Sequence, residues 1–190
     1  DKRVLAPSGF ILYLGIDGKV DSLTHHNLVF AKDWQKNFAE VFDRPQLPSD
    51  PSFYVCAPSK TDETVAPTDK ENLFVLVPIA AGIELTEEAL QAYREKILTT
   101  MEQSMDIPNL RKRIEFERMF TLKDFQERYN SFRGSALGLA HTLRQTAIFR
   151  PNTVSKKVPN LYYVGAGTNP GIGMPICLIS AELVLKRVIG

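Results

Sequence analysis

The sequence has few cysteines and histidines, no long apolar run and almost no net charge. Its two cysteines, Cys56 and Cys177, lie in a predicted apolar strand and a predicted apolar helix, which is typical of buried free thiols rather than of a disulfide framework. No run of eighteen apolar residues occurs, which excludes a membrane-spanning helix, and no signal peptide is visible. We therefore expect a cytoplasmic protein in a reducing compartment, with peripheral contact to a membrane surface left open.

A net charge of +1 gives no electrostatic reason to expect a nucleic-acid partner. The basic cluster at residues 111–113 is too small for such a footprint, and we interpret it as a solvated entrance to a strand. His25 and His26 are adjacent, and neighbouring side chains of a strand point to opposite faces, so they cannot easily share one ion. Because His141 is the only other histidine and no cysteine stands at ligand spacing, the sequence predicts no metal site.

Hydrolysis by a nucleophilic serine has little support in the sequence. Ser135 lies in Gly-Ser-Ala rather than in a Gly-x-Ser-x-Gly elbow, and no acidic residue is visibly placed to orient His141. The paired acids at residues 87–88 and 115–117 fall on a helix start and a strand face, where solvation explains them. These features exclude no enzyme class outright, but none of them identifies one.

With 44% apolar and 24% charged residues, the chain has the composition of a soluble globular protein. Asp17 and Gly18 form a turn signal between a first strand and a returning one. Thr86 is a good N-cap for a long helix whose apolar stripe is suited to packing on a sheet. Periodicity predicts strands at residues 10–16, 28–31, 53–57, 73–77 and 112–120, and helices at 33–42, 86–105 and 122–129. This order predicts an α+β lobe, with a mixed or antiparallel sheet and packed helices.

In residues 160–188 an apolar stretch, a glycine-rich turn and a helical pattern follow one another directly, with no linker between them. Residues 161–164 predict a short buried strand, and the apolar spacing from Pro175 onward predicts a helix of about fifteen residues. Between them lie Gly165, Gly167, Gly171 and Gly173 with two prolines. Glycine lets a ligand approach main-chain N–H groups, and a helix N-terminus carries a partial positive charge, so the segment favours a pyrophosphate or an electron-rich ring.

Residues 134–151 are mostly apolar, with small residues first and isolated polar groups at His141, Gln145 and Arg150. Such a composition is typical of the wall of a cavity. It is equally typical of a buried helix whose polar side chains find backbone partners. The residues alone leave both interpretations open.

The segment at 165–175, Gly-Ala-Gly-Thr-Asn-Pro-Gly-Ile-Gly-Met-Pro, resembles the carboxy-terminal flavin-binding motif of the bacterial-type phytoene and carotenoid desaturases, which are amine-oxidase-like flavoproteins. Other stretches resemble the same family in the same order, so nearly the whole chain is covered. They are Tyr-Leu-Gly at 13–15, His-His-Asn at 25–27, residues 58–67, Asn-Leu-Phe-Val-Leu-Val-Pro at 72–78, Gly-Ser-Ala-x-Gly at 134–138, Gln145, and Phe-Arg-Pro-Asn at 149–152.

The resemblance implies an FAD-dependent oxidoreductase of carotenoid biosynthesis, in which hydride passes from a C–H of a long apolar polyene to flavin N5. No residue stands out as the catalytic base. The implied substrate-side candidates are His141, Gln145, Phe149 and Arg150. The implied cofactor-binding residues are Gly165, Ala166, Gly167, Thr168, Pro170, Gly171, Gly173, Met174 and Pro175.

Members of this family begin with a strand–Gly-x-Gly-x-x-Gly–helix unit for the adenosine half of FAD, and this sequence contains nothing like it. The chain therefore looks like a carboxy-terminal part. We expect residues 1–133 to form the substrate-side lobe and residues 134–190 to be a strand–glycine loop–helix piece of an α/β FAD-binding domain. The missing amino-terminal half of the same protein would be its partner, so the isolated chain is expected to be inactive and empty of FAD.

Two rival functions remain open from the sequence. One is an amine-oxidase-like flavoenzyme that acts on another substrate, and the other is a lipid- or carotenoid-binding module without redox chemistry.

Overall fold

A five-stranded antiparallel sheet organises the first two thirds of the chain in the computed structural model, which describes residues 3–190. The strands lie in the order β2-β3-β4-β1-β5, and every neighbouring pair is antiparallel. Their bounds are β1 Ser8–Asp17, β2 His26–Val29, β3 Phe53–Cys56, β4 Lys70–Ile79 and β5 Ile114–Phe120. The long strands β1 and β4 form the centre of the sheet, and the four-residue β2 forms one edge.

The core lies on one face of this sheet, because β4 along its whole length and β1 from Leu12 onward alternate between buried and more exposed positions. On β1 the inward residues are Phe10, Leu12, Leu14 and Ile16, and all four are at most 2% exposed. Helix α2, Glu87–Ser104, covers this face with the predicted stripe of Leu90, Tyr93, Ile97, Leu98 and Met101. The Thr86 hydroxyl accepts a hydrogen bond from Ala89 N at 3.2 Å, so the predicted N-cap of this helix is confirmed.

Four further helices complete the described chain: α1 Trp34–Phe42, α3 Leu110–Arg113, α4 Leu122–Tyr129 and α5 Met174–Ile189. Asp33 caps α1 by accepting from Lys36 N, and Thr121 with Asp124 forms a capping box at the start of α4. The predicted helices at 33–42, 86–105 and 122–129 and the one beginning near Pro175 are therefore confirmed. None of the helices within residues 3–190 is long and apolar enough to cross a membrane.

The predicted pairing of the first strand with the returning strand is wrong. Strand β1 pairs with β4 and β5, whereas β2 pairs only with β3. Val20 and Leu23, in the connection between the two strands, are both buried in the core. Because these two side chains are buried in the core, the connection passes the neighbouring strands before β2 begins. Gly18, with φ 76°, therefore forms a turn that leads away from β1 and not into a hairpin.

The basic cluster lies at the entrance to a strand, as predicted, in the short helix α3 directly before β5, and two of its side chains are tied to their surroundings. Arg111 forms ion pairs with Glu95 and Glu102. Arg113 donates to the carbonyl oxygens of Asp17 and Lys19 at 2.8 and 2.7 Å. These contacts fix the start of β5 against the end of β1.

Residues 134–164 depart furthest from prediction. Residues 134–151 contain no α-helix and run as turns with short 3-10 segments at Phe132–Gly134 and Ala147–Phe149. Residues 161–164 make only a single antiparallel bridge, Val154 to Tyr162, and Leu161, Tyr163 and Val164 are 38–55% exposed. An isolated parallel strand needs neighbours on both edges, and none of the strands in residues 3–190 lies beside this one.

The 134–145 segment is joined to the residues that lead into β1. Ala6 N donates to Gly138 O at 2.8 Å, Ala140 N donates to Val4 O at 3.0 Å, and the Ser8 hydroxyl donates to Gly134 O at 2.5 Å. The stretch before the central strand of the sheet therefore holds residues 134–140 in place.

The long connection between β3 and β4 is held by a buried carboxylate. Glu71 of β4 is 2% exposed, accepts a hydrogen bond from the Ser59 hydroxyl, and lies 2.9 Å from Lys60 Nζ. The connection folds into two 3-10 turns, Pro58–Lys60 and Glu63–Val65. Although burial opposes ionisation, the bonds from Ser59, Lys60 and the main chain hold the pKa of Glu71 below its ordinary value.

We expect Glu71→Gln to lower the free energy of unfolding at pH 7 by about 1–3 kcal/mol, because it removes the buried ion pair with Lys60. The folded-state pKa is lowered, so this contribution is present above the unfolded-state pKa of about 4.3 and is lost as pH falls through the folded-state value. Urea unfolding at pH 7 and in more acidic buffer measures both effects. The exposed Glu84→Gln is the control, and an equal loss in the two variants at pH 7 would contradict the assignment.

Candidate functional site

The glycine-rich loop at residues 165–173 presents bare main chain on its outer side. Gly165, Gly171 and Gly173 have φ values of 103°, 139° and 126°, which side-chain-bearing residues rarely adopt. A Cβ placed on Gly165 or Gly167 would meet no atom within 4 Å. A ligand can therefore reach the backbone of this loop without displacing protein atoms.

Helix α5 begins directly after this loop with an uncapped N-terminus. Gly173 is the N-cap residue, and its carbonyl accepts from Cys177 N at 2.8 Å. No side chain caps the first turn and no acidic residue lies in it, while Met174 is 83% exposed. The first-turn N–H groups and the positive end of the helix dipole are thus left for an electron-rich group outside the chain.

Arg150 is the internal support of the loop. It is 3% exposed, and its guanidinium donates to Thr168 O at 3.2 Å, Leu139 O at 3.3 Å, Gln145 O at 3.5 Å and, at short range, Ala166 O. Burial lowers the pKa of Arg150 from its ordinary value, but an arginine side chain stays protonated. A positive charge bonded only to carbonyl groups therefore lies beneath the loop.

Thr168 and Asn169 fasten the loop to the same segment. The buried Thr168 hydroxyl donates to Pro151 O at 2.7 Å, and the Asn169 side chain donates to Arg150 O at 3.2 Å. The Thr168 side chain is thus committed to the structure of the loop, so any contact it offers a ligand comes from its main chain.

His141 packs against the glycine loop. Its Nε2 accepts a hydrogen bond from Ile172 N at 3.2 Å. A Cβ on Gly171 would lie 2.5 Å from the imidazole ring, so a larger residue there would displace the histidine. The structure therefore brings His141 and Arg150, predicted separately from the loop, against it, and both side chains lie beside Gly171.

Gln145 and Phe149 have different surroundings. Gln145 accepts from Val4 N and donates to Val4 O, both at 2.8 Å, which ties the segment to the start of the chain. Phe149 is 64% exposed and lines a cleft of about 540 Å³. Other residues lining this cleft are Leu139, Thr142, Leu143 and Pro151. The polar side chains of 134–151 do find backbone partners, as one interpretation required, but without a helix.

The outer face of the sheet carries an aromatic row that we did not single out in the sequence. Tyr54, Phe74 and Tyr13 lie on successive strands β3, β4 and β1, with ring centroids 6.4 and 5.5 Å apart. On β5 the residue opposite Tyr13 is Arg118, and Phe116 lies opposite Gly15, where a Cβ would lie 3.1 Å from that of Phe116. The alternation of these strands placed the aromatics outward, but their alignment depends on strand order, which the sequence did not give.

Comparison with known proteins gives consistent matches along the whole chain. It is 50% identical over 189 residues to a carotenoid 3,4-desaturase of Haloarcula japonica, covering 100% of this chain and 38% of that protein. It is 40% identical over 192 residues to a zeta-carotene-forming phytoene desaturase of Myxococcus xanthus, covering 99% of this chain and 37% of that protein. A 4,4'-diapophytoene desaturase of Staphylococcus aureus is 36% identical over 189 residues, covering 96% of this chain and 38% of that protein.

No model of a known protein family matches the chain. The matched relatives are much longer than this chain, which spans about 38% of their length. All three are desaturases of carotenoids or their precursors by name.

Proposed function

Because this chain belongs to the carotenoid and phytoene desaturase family and matches the carboxy-terminal ~38% of those proteins, we propose that it is the carboxy-terminal part of an FAD-dependent carotenoid desaturase. The observation that carries the proposal is the loop at residues 165–173, whose open glycine backbone runs into the uncapped start of α5. The family relationship is the reason for proposing FAD as the ligand of this loop and helix start.

The residues present fit a flavin. Gly165 and Gly167 leave open space beside the main chain, and the N–H groups of the first turn of α5 have no side-chain cap. When bound, FAD would supply the acceptor for a hydride taken from a C–H bond of the substrate. The loop would hold the electron-rich side of the ring, and the buried Arg150 would add positive potential without a direct contact.

An apolar polyene fits the surfaces of the lobe. The row of Tyr13, Tyr54 and Phe74 on the outer face of the sheet offers extended aromatic contact area, with Arg118 opposite Tyr13 at its β5 end. The exposed Phe149 adds an apolar wall on the loop side. We propose that residues 1–133 form the substrate-side lobe and that residues 134–190 complete the FAD-binding domain. No described side chain is placed as the proton acceptor, so we assign none.

Helix α5 supports the proposal that the rest of the protein packs here. Among its sixteen residues only Ser180 and Val184 are buried. Six apolar residues are 39–73% exposed, namely Leu178, Ile179, Leu183, Leu185, Val188 and Ile189. So much exposed apolar surface on one helix indicates a packing partner. We propose that the amino-terminal half of the full-length protein supplies it, and that the isolated chain is inactive and retains no FAD.

A second apolar surface suits a membrane. Trp34, Phe38 and Phe42 lie along α1, are 64%, 53% and 41% exposed, and contact one another through their rings. Phe30, just before α1, is 75% exposed. We propose that this strip contacts the membrane surface from which an apolar substrate is taken.

The test of the proposed function is conversion of substrate by the full-length protein. The purified protein is checked for bound FAD by its absorbance and is then mixed without oxygen with a polyene precursor or, separately, with an amine. We expect the polyene to gain a double bond while the flavin absorbance bleaches, and the amine to leave the flavin oxidised. Oxidation of the amine would assign an amine-oxidase-like enzyme, and a colourless protein that binds the polyene unchanged would assign a binding module; either result overturns the proposal.

A further inference from the structure

A cluster of two imidazoles and one thiol lies at the edge of the sheet. His26 of β2 is directly opposite Cys56 of β3 in the antiparallel register, so both side chains leave the same face. His25 precedes β2 and therefore escapes the alternation that separates neighbours within a strand. Its ring lies against that of His26, with centroids 4.2 Å apart. One ring nitrogen of each histidine and the Cys56 sulfur all lie within 4.8 Å of one another.

The geometric reason for predicting no metal site was thus wrong, because it treated both histidines as strand residues. The backbone around them is well fixed. His25 O accepts from Ala57 N at 2.8 Å, and the Thr24 hydroxyl donates to His26 O at 2.8 Å. The two histidines are therefore held against the end of β3.

Each imidazole has a hydroxyl partner on Nδ1. Thr61 Oγ1 lies 2.6 Å from His25 Nδ1 and donates its own proton to Pro58 O, so it accepts Nδ1–H. The Tyr54 hydroxyl lies 2.6 Å from His26 Nδ1. In the tautomer in which each Nδ1–H donates to its hydroxyl, both rings leave Nε2 free for an ion, which is how metal-ligating histidines are oriented.

We propose that His25, His26 and Cys56 bind one Zn²⁺ ion, with water as the fourth ligand. Two imidazoles and a thiolate suit zinc and exclude the oxygen-ligated Mg²⁺ and Ca²⁺. Tetrahedral zinc with bonds of about 2.0–2.3 Å places its ligand atoms roughly 3.3–3.8 Å apart. Reaching this from the present separation takes a shift of about 1 Å, which the exposed His26 side chain allows.

An ion at this position would join the short edge strand β2 to β3 and to the turn that contains Thr61. The Cys56 thiol loses its proton to solvent when it becomes a ligand, and no electron transfer is involved. This site is independent of the flavin proposal, since none of its residues contacts the loop at 165–173.

The test uses the 190-residue chain with Co²⁺ as a spectroscopic substitute and Zn²⁺ as competitor. We expect one Co²⁺ per chain, with a thiolate-to-cobalt charge-transfer band and the visible bands of a tetrahedral site, all removed by Zn²⁺. Cys56→Ser should abolish the charge-transfer band, whereas Cys177→Ser, at the other cysteine, should keep it. Tyr54→Phe should weaken binding by about 10–100-fold, because it removes the partner of His26 Nδ1.

Alkylation of the wild-type protein gives a second measurement that needs no variant to fold. Zn²⁺ should slow iodoacetamide modification of Cys56 and leave Cys177 unchanged, as read by peptide mass spectrometry. Absence of the charge-transfer band in wild type, its survival in Cys56→Ser, or equal modification of Cys56 with and without Zn²⁺ would each overturn the proposal.

Discussion

Full-length Gly173→Val protein is expected to be purified without flavin and to show no desaturation, with the substrate-side lobe still folded. Gly173 has φ 126°, in the region that a β-branched residue resists, and it is the N-cap of α5. Valine at this point would distort the start of the helix and cover the main chain that the proposed ligand approaches. We expect FAD affinity to fall by at least about 100-fold, since backbone strain of about 1–3 kcal/mol adds to the blocked contact.

Gly18→Val is the matched control for this prediction. Gly18 also has positive φ, 76°, but it lies in a turn after β1, far from the glycine loop, and its neighbour is the end of the Arg113 side chain. This variant should be less stable but yellow and active. Flavin absorbance per polypeptide and product formation separate the two cases, and a Gly173 variant with stoichiometric flavin would reduce the loop to a simple turn.

Arg150→Lys should loosen the glycine loop although the charge is kept. The guanidinium donates to carbonyl groups of four residues, and one ammonium on a shorter side chain cannot reach them all. Loss of two such bonds costs about 2–4 kcal/mol of local stability. Amide hydrogen exchange in residues 165–173 should therefore accelerate, and FAD should dissociate faster from the full-length protein.

The control for this variant is Arg144→Lys, on the same segment but exposed. It should leave both exchange and FAD dissociation unchanged. If the amides of the loop exchanged at the wild-type rate in Arg150→Lys, the hydrogen bonds from Arg150 to the carbonyl groups would not be what holds the loop in place.

Periodicity was sufficient wherever an element packs against the sheet. The stripe on α2 and the alternation on β1 both follow from one buried face, so their residues could be predicted individually. Residues 161–164 and 134–151 carry equally apolar sequences, yet their form depends on neighbours that this chain does not provide. The local sequence pattern indicates that a segment tends to be buried, but it does not indicate which other part of the protein buries it.

The candidate site likewise has features that the local sequence predicts and features that depend on residues distant in the sequence. The glycines of the loop and Pro175 were recognised from a continuous motif, and the structure places them around the start of α5. Arg150 was placed on the substrate side, but its role as support of the loop depends on contacts with residues 166–168. The approach of Cys56 to His26 depends on the pairing of β2 with β3, which no local signal specified.

The hydrogen bonds between residues 4–8 and residues 134–140 couple the central strand β1 to the segment that supports the glycine loop. Val4 and Ala6 are bonded to the segment that supports the glycine loop, and β1 continues from them through the middle of the sheet. The two regions cannot rotate freely about each other, because any displacement of the loop support is transmitted along β1. Any movement that admits the proposed long substrate would then have to come from elements that β1 does not anchor. The edge strand β2 and helix α1 are two such elements.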